Sequence, residues 1–315
     1  MKTKKTLITF ALFIAVMLGA APNTAAQQKV DVKMLFRLLP DDAFEFQSHR
    51  WEKDRAELDS YIKVCDYKNG FLRLEFDSAN YWEMCYWNLK NGNKLIAVRG
   101  HPLLSASFYL YADGKIEPTS KFGTDEIHED INNSIADNCC DNTTEFLIPR
   151  HGTSIYAVHN TLDAFIYKWQ NEHFVRLTEY PTQNSTHEQL FKGFATALTA
   201  ADTDRCLQYI CPRYVVAQCM GLFDGKKEHF ICDLIAGKDD KGYLKPDKLR
   251  DIKKATYRYT PNNGSPTHTL FIELKNGRSY TIQPDFTTVE IYESIDSGED
   301  GDLLRSTPYI TGGVG

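Results

Sequence analysis

After its first twenty residues this chain has no long apolar run, and the dense motifs that organise familiar chemistries are missing. No Gly-x-Ser-x-Gly occurs, so the strained elbow that exposes a hydrolase serine is not indicated. Glycine-rich phosphate loops of the Walker or dinucleotide type are absent as well. The tail Thr311-Gly312-Gly313-Val314-Gly315 has no helix after it and reads as a frayed end. Without His-Glu-x-x-His or Cys-x-x-Cys, neither a zinc protease nor a redox dithiol is expected. Positive charge is not in excess: 36 basic residues face 42 acidic ones, a net charge of -6, which argues against a dedicated nucleic-acid binder. Hydrophobic residues at 42% and charged residues at 25% match a globular chain and exclude wholesale disorder.

What is present begins with Met1-Lys2-Thr3-Lys4-Lys5, an apolar run from Leu7 to Leu18 and a small-residue tail ending at Ala26. Basic head, short apolar core and small-residue tail predict a secretory signal peptide over residues 1–26. The run is too short to span a bilayer, so no transmembrane segment is expected after cleavage. The predicted location is secreted or periplasmic. Eight cysteines suit that compartment: Cys65, Cys85, Cys139 and Cys140 in the first half, Cys206, Cys211, Cys219 and Cys232 in the second. Disulfides closed within each half are the expectation, with connectivity open. A bridge in the second half should join different secondary-structure elements.

Two halves follow different patterns. Residues 29–181 read as a β-rich domain: a helical opening between Pro40 and Ile62, then short alternating segments such as Leu72-Arg73-Leu74-Glu75-Phe76 and Tyr81 to Trp87. Lys90-Asn91-Gly92-Asn93 predicts a hairpin turn with positive φ. Ser120 to Thr144 is rich in Asp, Glu and Asn and reads as a long surface loop. Polar residues from Pro181 to Thr186 mark the boundary. Residues 186–315 then read as an α+β domain. A helix from His187 to Ala200 turns Leu190, Phe194, Ala197 and Leu198 to one side. A second, capped by Asp202 or Thr203, stops at Pro212, and a third runs from Lys226 to Ala236 with Gly237 as its left-handed stop. Antiparallel strands follow. The fold class is α+β: an antiparallel β-rich domain, then helices packed on a curved antiparallel sheet.

Phe191-Lys192-Gly193-Phe194-Ala195-Thr196-Ala197-Leu198-Thr199-Ala200-Ala201-Asp202-Thr203-Asp204, running into Cys211-Pro212-Arg213-Tyr214-Val215, resembles the opening of NTF2-like (SnoaL-like) domains. Gly221-Leu222-Phe223-Asp224-Gly225 before the third helix is similar too. The resemblance covers about Thr186 to Ile295 and implies packed helices before a strongly curved sheet whose concave face encloses a cavity. It implies that Tyr257, Tyr259, Leu270 and Ile272 face that cavity as candidate ligand-binding residues. The first half resembles no recognised family.

Candidate chemistry elsewhere is sparse. His128, within Asp125-Glu126-Ile127-His128-Glu129-Asp130, sits in a charge run that reads as solvated. Asp296-Ser297-Gly298-Glu299-Asp300-Gly301-Asp302 lacks an oxygen side chain at the third position of a calcium loop, and Thr307 stands where its bidentate Glu belongs, so it reads as an acidic turn. No metal, no cofactor and no catalytic residue is assigned. Cys219 and Cys232 near His229 read as buried thiols or half-cystines rather than a nucleophile pair. Aromatic residues line both faces of the strand from Trp82 to Trp87. An exposed strip would stack on sugars or anchor a partner, and core packing is the plainer reading. The functional expectation is an exported, non-catalytic binding protein of the cell envelope whose partner is an unknown protein, glycan or small ligand. The competing expectations are an enzyme with acid-base residues in the second domain's cavity, and a structural envelope component.

Overall fold

In strands the side chains alternate between two faces, so a strand that is apolar at every position must be covered twice. That requirement organises this chain. The computed structural model describes residues 30–46, 49–50, 55–77, 80–101, 106–136, 144–159, 163–177, 186–261, 267–294 and 300–314. The expected signal peptide, Cys139 and Cys140, most of the polar boundary segment and residues 296–299 of the acidic turn lie outside them.

Helix α1 (Val32–Leu38) buries Val32, Leu35 and Phe36 against a six-stranded antiparallel meander. Its strands follow chain order: β1 (Ile62–Asp66), β2 (Phe71–Glu75), β3 (Tyr81–Asn88), β4 (Lys94–His101), β5 (Ala106–Ala112) and β6 (Lys115–Pro118). Leu72, Leu74, Trp82 and Met84 are fully buried on the helix side, and the Trp82 indole donates to the Ala43 carbonyl at 2.9 Å. Phe71, Cys85, Trp87 and Leu95 occupy the opposite face. Between Pro40 and Ile62 the described residues form short helical turns at Asp41–Phe44, Arg55–Leu58 and Asp59–Tyr61, and Glu45–Phe46 pairs antiparallel with His49–Arg50. The hairpin at Asn91-Gly92 closes as expected, with Asn88 paired to Lys94. Only Gly92 takes positive φ there, 88°.

Ser120–Thr144 holds a 13-residue helix, α2 (Thr124–Ala136), where a loop was expected. Asp125, Glu126 and Glu129 of the charge run are exposed, as expected, while Glu126, His128 and Asp130 also find partners. Glu126 lies 3.2 Å from His173 and Asp130 3.1 Å from Arg176, while Asp130 accepts from the Tyr167 hydroxyl at 2.9 Å. The His128 ring sits 3.0 Å from the Ala106 carbonyl. Polar docking leaves little apolar periodicity to read, and Ile127 is the buried aliphatic of the helix's first turns.

The second sheet comprises β7 (Thr144–Leu147), β8 (Ile155–His159), β9 (Asp163–Gln170) and β10 (His173–Arg176), ordered β10-β9-β8-β7. Phe146, Ile155, Ala157, Phe165 and Tyr167 pack on the meander. Leu147, Tyr156, Val158 and Ile166 point the other way, into a core built with the helices that follow. This sheet is therefore a wall shared by the two halves, and residues 32–315 form one unit.

Helix α3 (His187–Thr199) starts at a capping box: Thr186 Oγ1 accepts from Gln189 N at 3.2 Å and Gln189 Oε1 accepts from Thr186 N at 2.8 Å. Leu190, Phe194, Ala197 and Leu198 are buried as the spacing predicts. Helix α4 (Thr203–Gln208) is capped by Asp202. Pro212 does not stop it; α4 has already ended, and Pro212 opens a further helical segment that becomes a π-helix over Val215–Leu222. Helix α5 (Lys227–Leu234) buries Phe230, Ile231 and Leu234. Gly237 is not a left-handed stop: it opens a strand, and a Cβ there would lie 2.6 Å from Tyr280.

A short hairpin, β11 (Gly237–Asp239) and β12 (Gly242–Leu244), leads to the last sheet, β13 (Ile252–Thr260), β14 (Thr267–Leu274), β15 (Ser279–Ser294) and β16 (Asp300–Val314), paired in that order. The tail read as frayed is part of β16, with Gly312 opposite Asp285 and Val314 opposite Gln283.

The expected disulfides are not formed among the described cysteines. Cys65, Cys85, Cys206, Cys211, Cys219 and Cys232 are free. Cys206, Cys219 and Cys232 pack inside the helical core as small hydrophobes. Burial pushes the Cys219 and Cys232 thiols up to about 12, which keeps them unreactive near neutral pH.

Replacing Gly193 in α3 tests the packing of α3 on the residues after α4. Helix propensity alone would make Gly193→Ala stabilising by about 1 kcal/mol. Its Cβ, however, would lie 2.4 Å from the buried Tyr209 ring, and overpacking of that kind costs about 1–3 kcal/mol. Urea denaturation is expected to report a net loss of stability; a gain would contradict the packing.

Candidate functional site

Three strands of the meander place charge on the face turned toward the second sheet. Arg73 of β2 stands directly opposite Glu83 of β3, and Glu83 directly opposite Arg99 of β4. Adjacent in-register residues share a face, so the three form a cross-strand ladder of alternating sign. Glu83 accepts from Arg73 Nη1 at 3.3 Å and from Arg99 Nε at 2.9 Å. Arg99 also donates to the Phe146 carbonyl and to the Tyr81 hydroxyl. Both guanidinium groups lie over the Tyr81 ring, Arg73 at 4.1 Å and Arg99 at 5.2 Å from its centroid. Glu83 and Arg99 are buried. Such a pair is fixed rather than mobile, because removing either member strands the other's charge at a cost of about 3–5 kcal/mol.

The ladder lines a cleft of about 330 Å³. Phe71, Leu147, Ile148 and Val216 supply apolar wall, while Arg150 and Asp224 add charge. Arg150 donates to Asp66 at 3.4 Å and to Asp224. Burial works to raise the Asp66 carboxyl, but hydrogen bonds from Asn69 and Arg150 outweigh it and hold the group below its usual range. Val216 belongs to the π-helix, and Asp224 follows it in a left-handed turn with φ 52°.

A second cleft, about 470 Å³, lies along the next residues of the same two segments. His151, Ser154, Asp204, Lys226, Lys227 and His229 line it. Lys227 is buried; its Nζ donates to the Ser154 carbonyl at 3.1 Å and lies 3.7 Å from Asp204. Asp204 in turn accepts from the Ser154 hydroxyl at 2.6 Å. Burial pulls the Lys227 ammonium below its usual range, and the Asp204 charge opposes that pull. His151 is likewise pushed down by burial and by the Arg150 charge. Its Nε2 has no hydrogen-bond partner among the described residues.

The residues singled out from sequence lie in neither of these clefts. Leu270 and Ile272 are fully buried in the core under the helices. Tyr257 stacks on Phe191 with centroids 5.8 Å apart, and its hydroxyl sits 2.9 Å from His268 Nδ1. Tyr259, 53% exposed, lies 5.5 Å from the same imidazole. His187 and Phe286 complete this ring cluster. All four residues share one sheet face, because Tyr257 pairs with Leu270 and Ala255 with Ile272. The part of that face toward Ile272 is packed into the core, and the part toward Tyr259 emerges at the surface. Of the aromatic residues on the strand from Trp82 to Trp87, Trp82 and Trp87 are buried and Tyr86 is half-buried.

No protein-family profile matches the chain, and no curated protein does. A solved structure, that of a domain of an uncharacterized protein from Porphyromonas gingivalis W83, aligns at 12% identity with a TM-score of 0.31. It covers 48% of this chain and 100% of its own.

The buried ammonium makes a signed prediction. An unfolded chain keeps the Lys227 proton up to about pH 10.5, while the folded chain releases it earlier. Between those two points the unfolded state binds more protons, so stability rises with pH there. Measured against Lys227→Met, which cannot titrate, the wild-type chain should gain relative stability as pH climbs through the alkaline range toward 10.5. A flat difference would contradict the burial.

Proposed function

We propose that this chain is an exported, non-catalytic binding protein of the cell envelope, which holds a small ligand in the cleft over Arg99. The observation that carries the reading is the Arg73–Glu83–Arg99 ladder lining a cleft of mixed polar and apolar wall, with Glu83 and Arg99 buried and locked by mutual hydrogen bonds. Small-molecule sites are typically preformed concavities with a few polar groups held in fixed positions, and this cleft shares both features while carrying more charge than most. Export rests on the signal-peptide pattern of residues 1–26.

We also propose that residues 186–315 form an NTF2-like domain. Three helices, a short hairpin and a four-stranded antiparallel sheet in that order support it. Leu270, Ile272, Tyr280 and Ile282 are packed into the core with Phe194 and Ile231, so the concave face offers little room there. This is why the binding site is assigned to the first cleft instead.

An enzyme reading has one observation behind it: Lys227, with its depressed ammonium, lines a cleft beside two imidazoles. Its Nζ is already engaged by the Ser154 carbonyl and Asp204. That engagement favours a structural tie over a free amine.

A small-molecule screen read by ligand-observed NMR tests the binding reading. Hits on the full chain should be displaced or weakened at least about tenfold in Arg99→Lys, which keeps the charge but loses the fixed fork. Hits that bind Arg99→Lys and the parent chain equally, with the variant folded, would remove the site from this cleft.

A further inference from the structure

We propose that the cleft over Arg99 takes a ligand with an acidic head group on an apolar body, and that Asp224 stands where that head group docks. This inference rests on the reading of the cleft as a binding site. Three guanidinium groups, those of Arg73, Arg99 and Arg150, reach one concavity whose remaining wall includes Phe71, Leu147, Ile148 and Val216. Guanidinium forks match planar or tetrahedral oxyanions, and apolar wall suits a hydrocarbon or aryl body.

The carboxylates already present are not equivalent. Glu83 is buried between two arginines, and its side chain is only 10% exposed. Asp66, 16% exposed, is also held by both the backbone and side-chain nitrogens of Asn69, at 3.1 and 2.8 Å. Glu75 pairs with Arg73 and is 35% exposed. Asp224 differs from all three. Its side chain is 53% exposed, and it meets Arg150 from a left-handed turn next to Leu222, itself 75% exposed. Displacing an exposed carboxylate costs little, since water resolvates it readily. An acid entering the cleft would exchange with Asp224 on Arg150 without uncovering a buried charge. Asp224 thus acts as a built-in competitor, and the π-helix ahead of it sets its position.

The test uses three probes that share one body and differ in head group: 4-phenylbutyrate, 4-phenylbutanamide and 4-phenylbutylamine, titrated calorimetrically into the full chain. The carboxylate should bind best. Asp224→Asn should raise its affinity about tenfold and Arg150→Gln should lower it about tenfold, the change expected from one charge-assisted hydrogen bond. Asp233→Asn, which removes an equally exposed acid paired with Lys245, should leave it unchanged. Equal binding of amide or amine, or an Asp224→Asn effect no larger than that of Asp233→Asn, overturns the inference and leaves the cleft as a binding site. If none of the three binds either the parent chain or Asp224→Asn, both this inference and the binding reading fall.

Discussion

Everything in this structure hangs on a sheet that neither half can cover alone. Strands β7 to β9 are apolar at consecutive positions, so each of their faces requires a lid. The meander supplies one, through Phe71, Trp87 and Leu95 against Ile155, Phe165 and Tyr167. Helices α3, α4 and α5 supply the other, through Phe194, Leu207 and Ile231 with Tyr156, Val158 and Ile166. Each buried Leu, Ile or Phe on such a face contributes about 1.5–3 kcal/mol. Separating the halves would uncover one side of the wall.

Charge also collects beside that wall. On the meander face toward it, the ladder of Arg73, Glu83 and Arg99 stands among Phe71, Leu147 and Ile148. The segment after β7 carries Arg150, His151 and Ser154 past the helices, where Asp224 and Lys227 meet them. Lys227 and Asp204 therefore reach across from the second half to a residue of the first. Both clefts are lined by residues of both halves, and polar groups pair across each of them.

The sequence announces what is local. The capping box at Thr186, the buried side of α3, the Asn91-Gly92 hairpin and the alternating strands of the last sheet all follow from spacing within a dozen residues. Helix α2 was hidden because it docks through Glu126, His128 and Asp130 rather than through an apolar stripe. Strand β16 was hidden because its glycines look like a frayed end until β15 is seen beside them. The candidate site was hidden for a related reason. Arg73, Glu83 and Arg99 lie at inner positions of three separate, mostly apolar strands, and only register makes them neighbours. A usable signal existed: a charge at an inward position of a buried strand needs a partner, and three such strands in succession offer one another partners. Tyr257 and Tyr259, the candidate ligand-binding tyrosines, join an imidazole-containing ring cluster on a sheet face that is packed along part of its length.

The central claim is that the shared wall makes one cooperative unit of both halves. Native-state hydrogen exchange reads this directly, at the amides of Leu72 in the meander, Tyr156 and Ile166 in the wall, and Leu270 in the last sheet, all fully or almost fully buried. A single opening free energy is expected at all four, equal to that of global unfolding. Two distinct values, with Leu72 and Leu270 opening independently of each other, would contradict it.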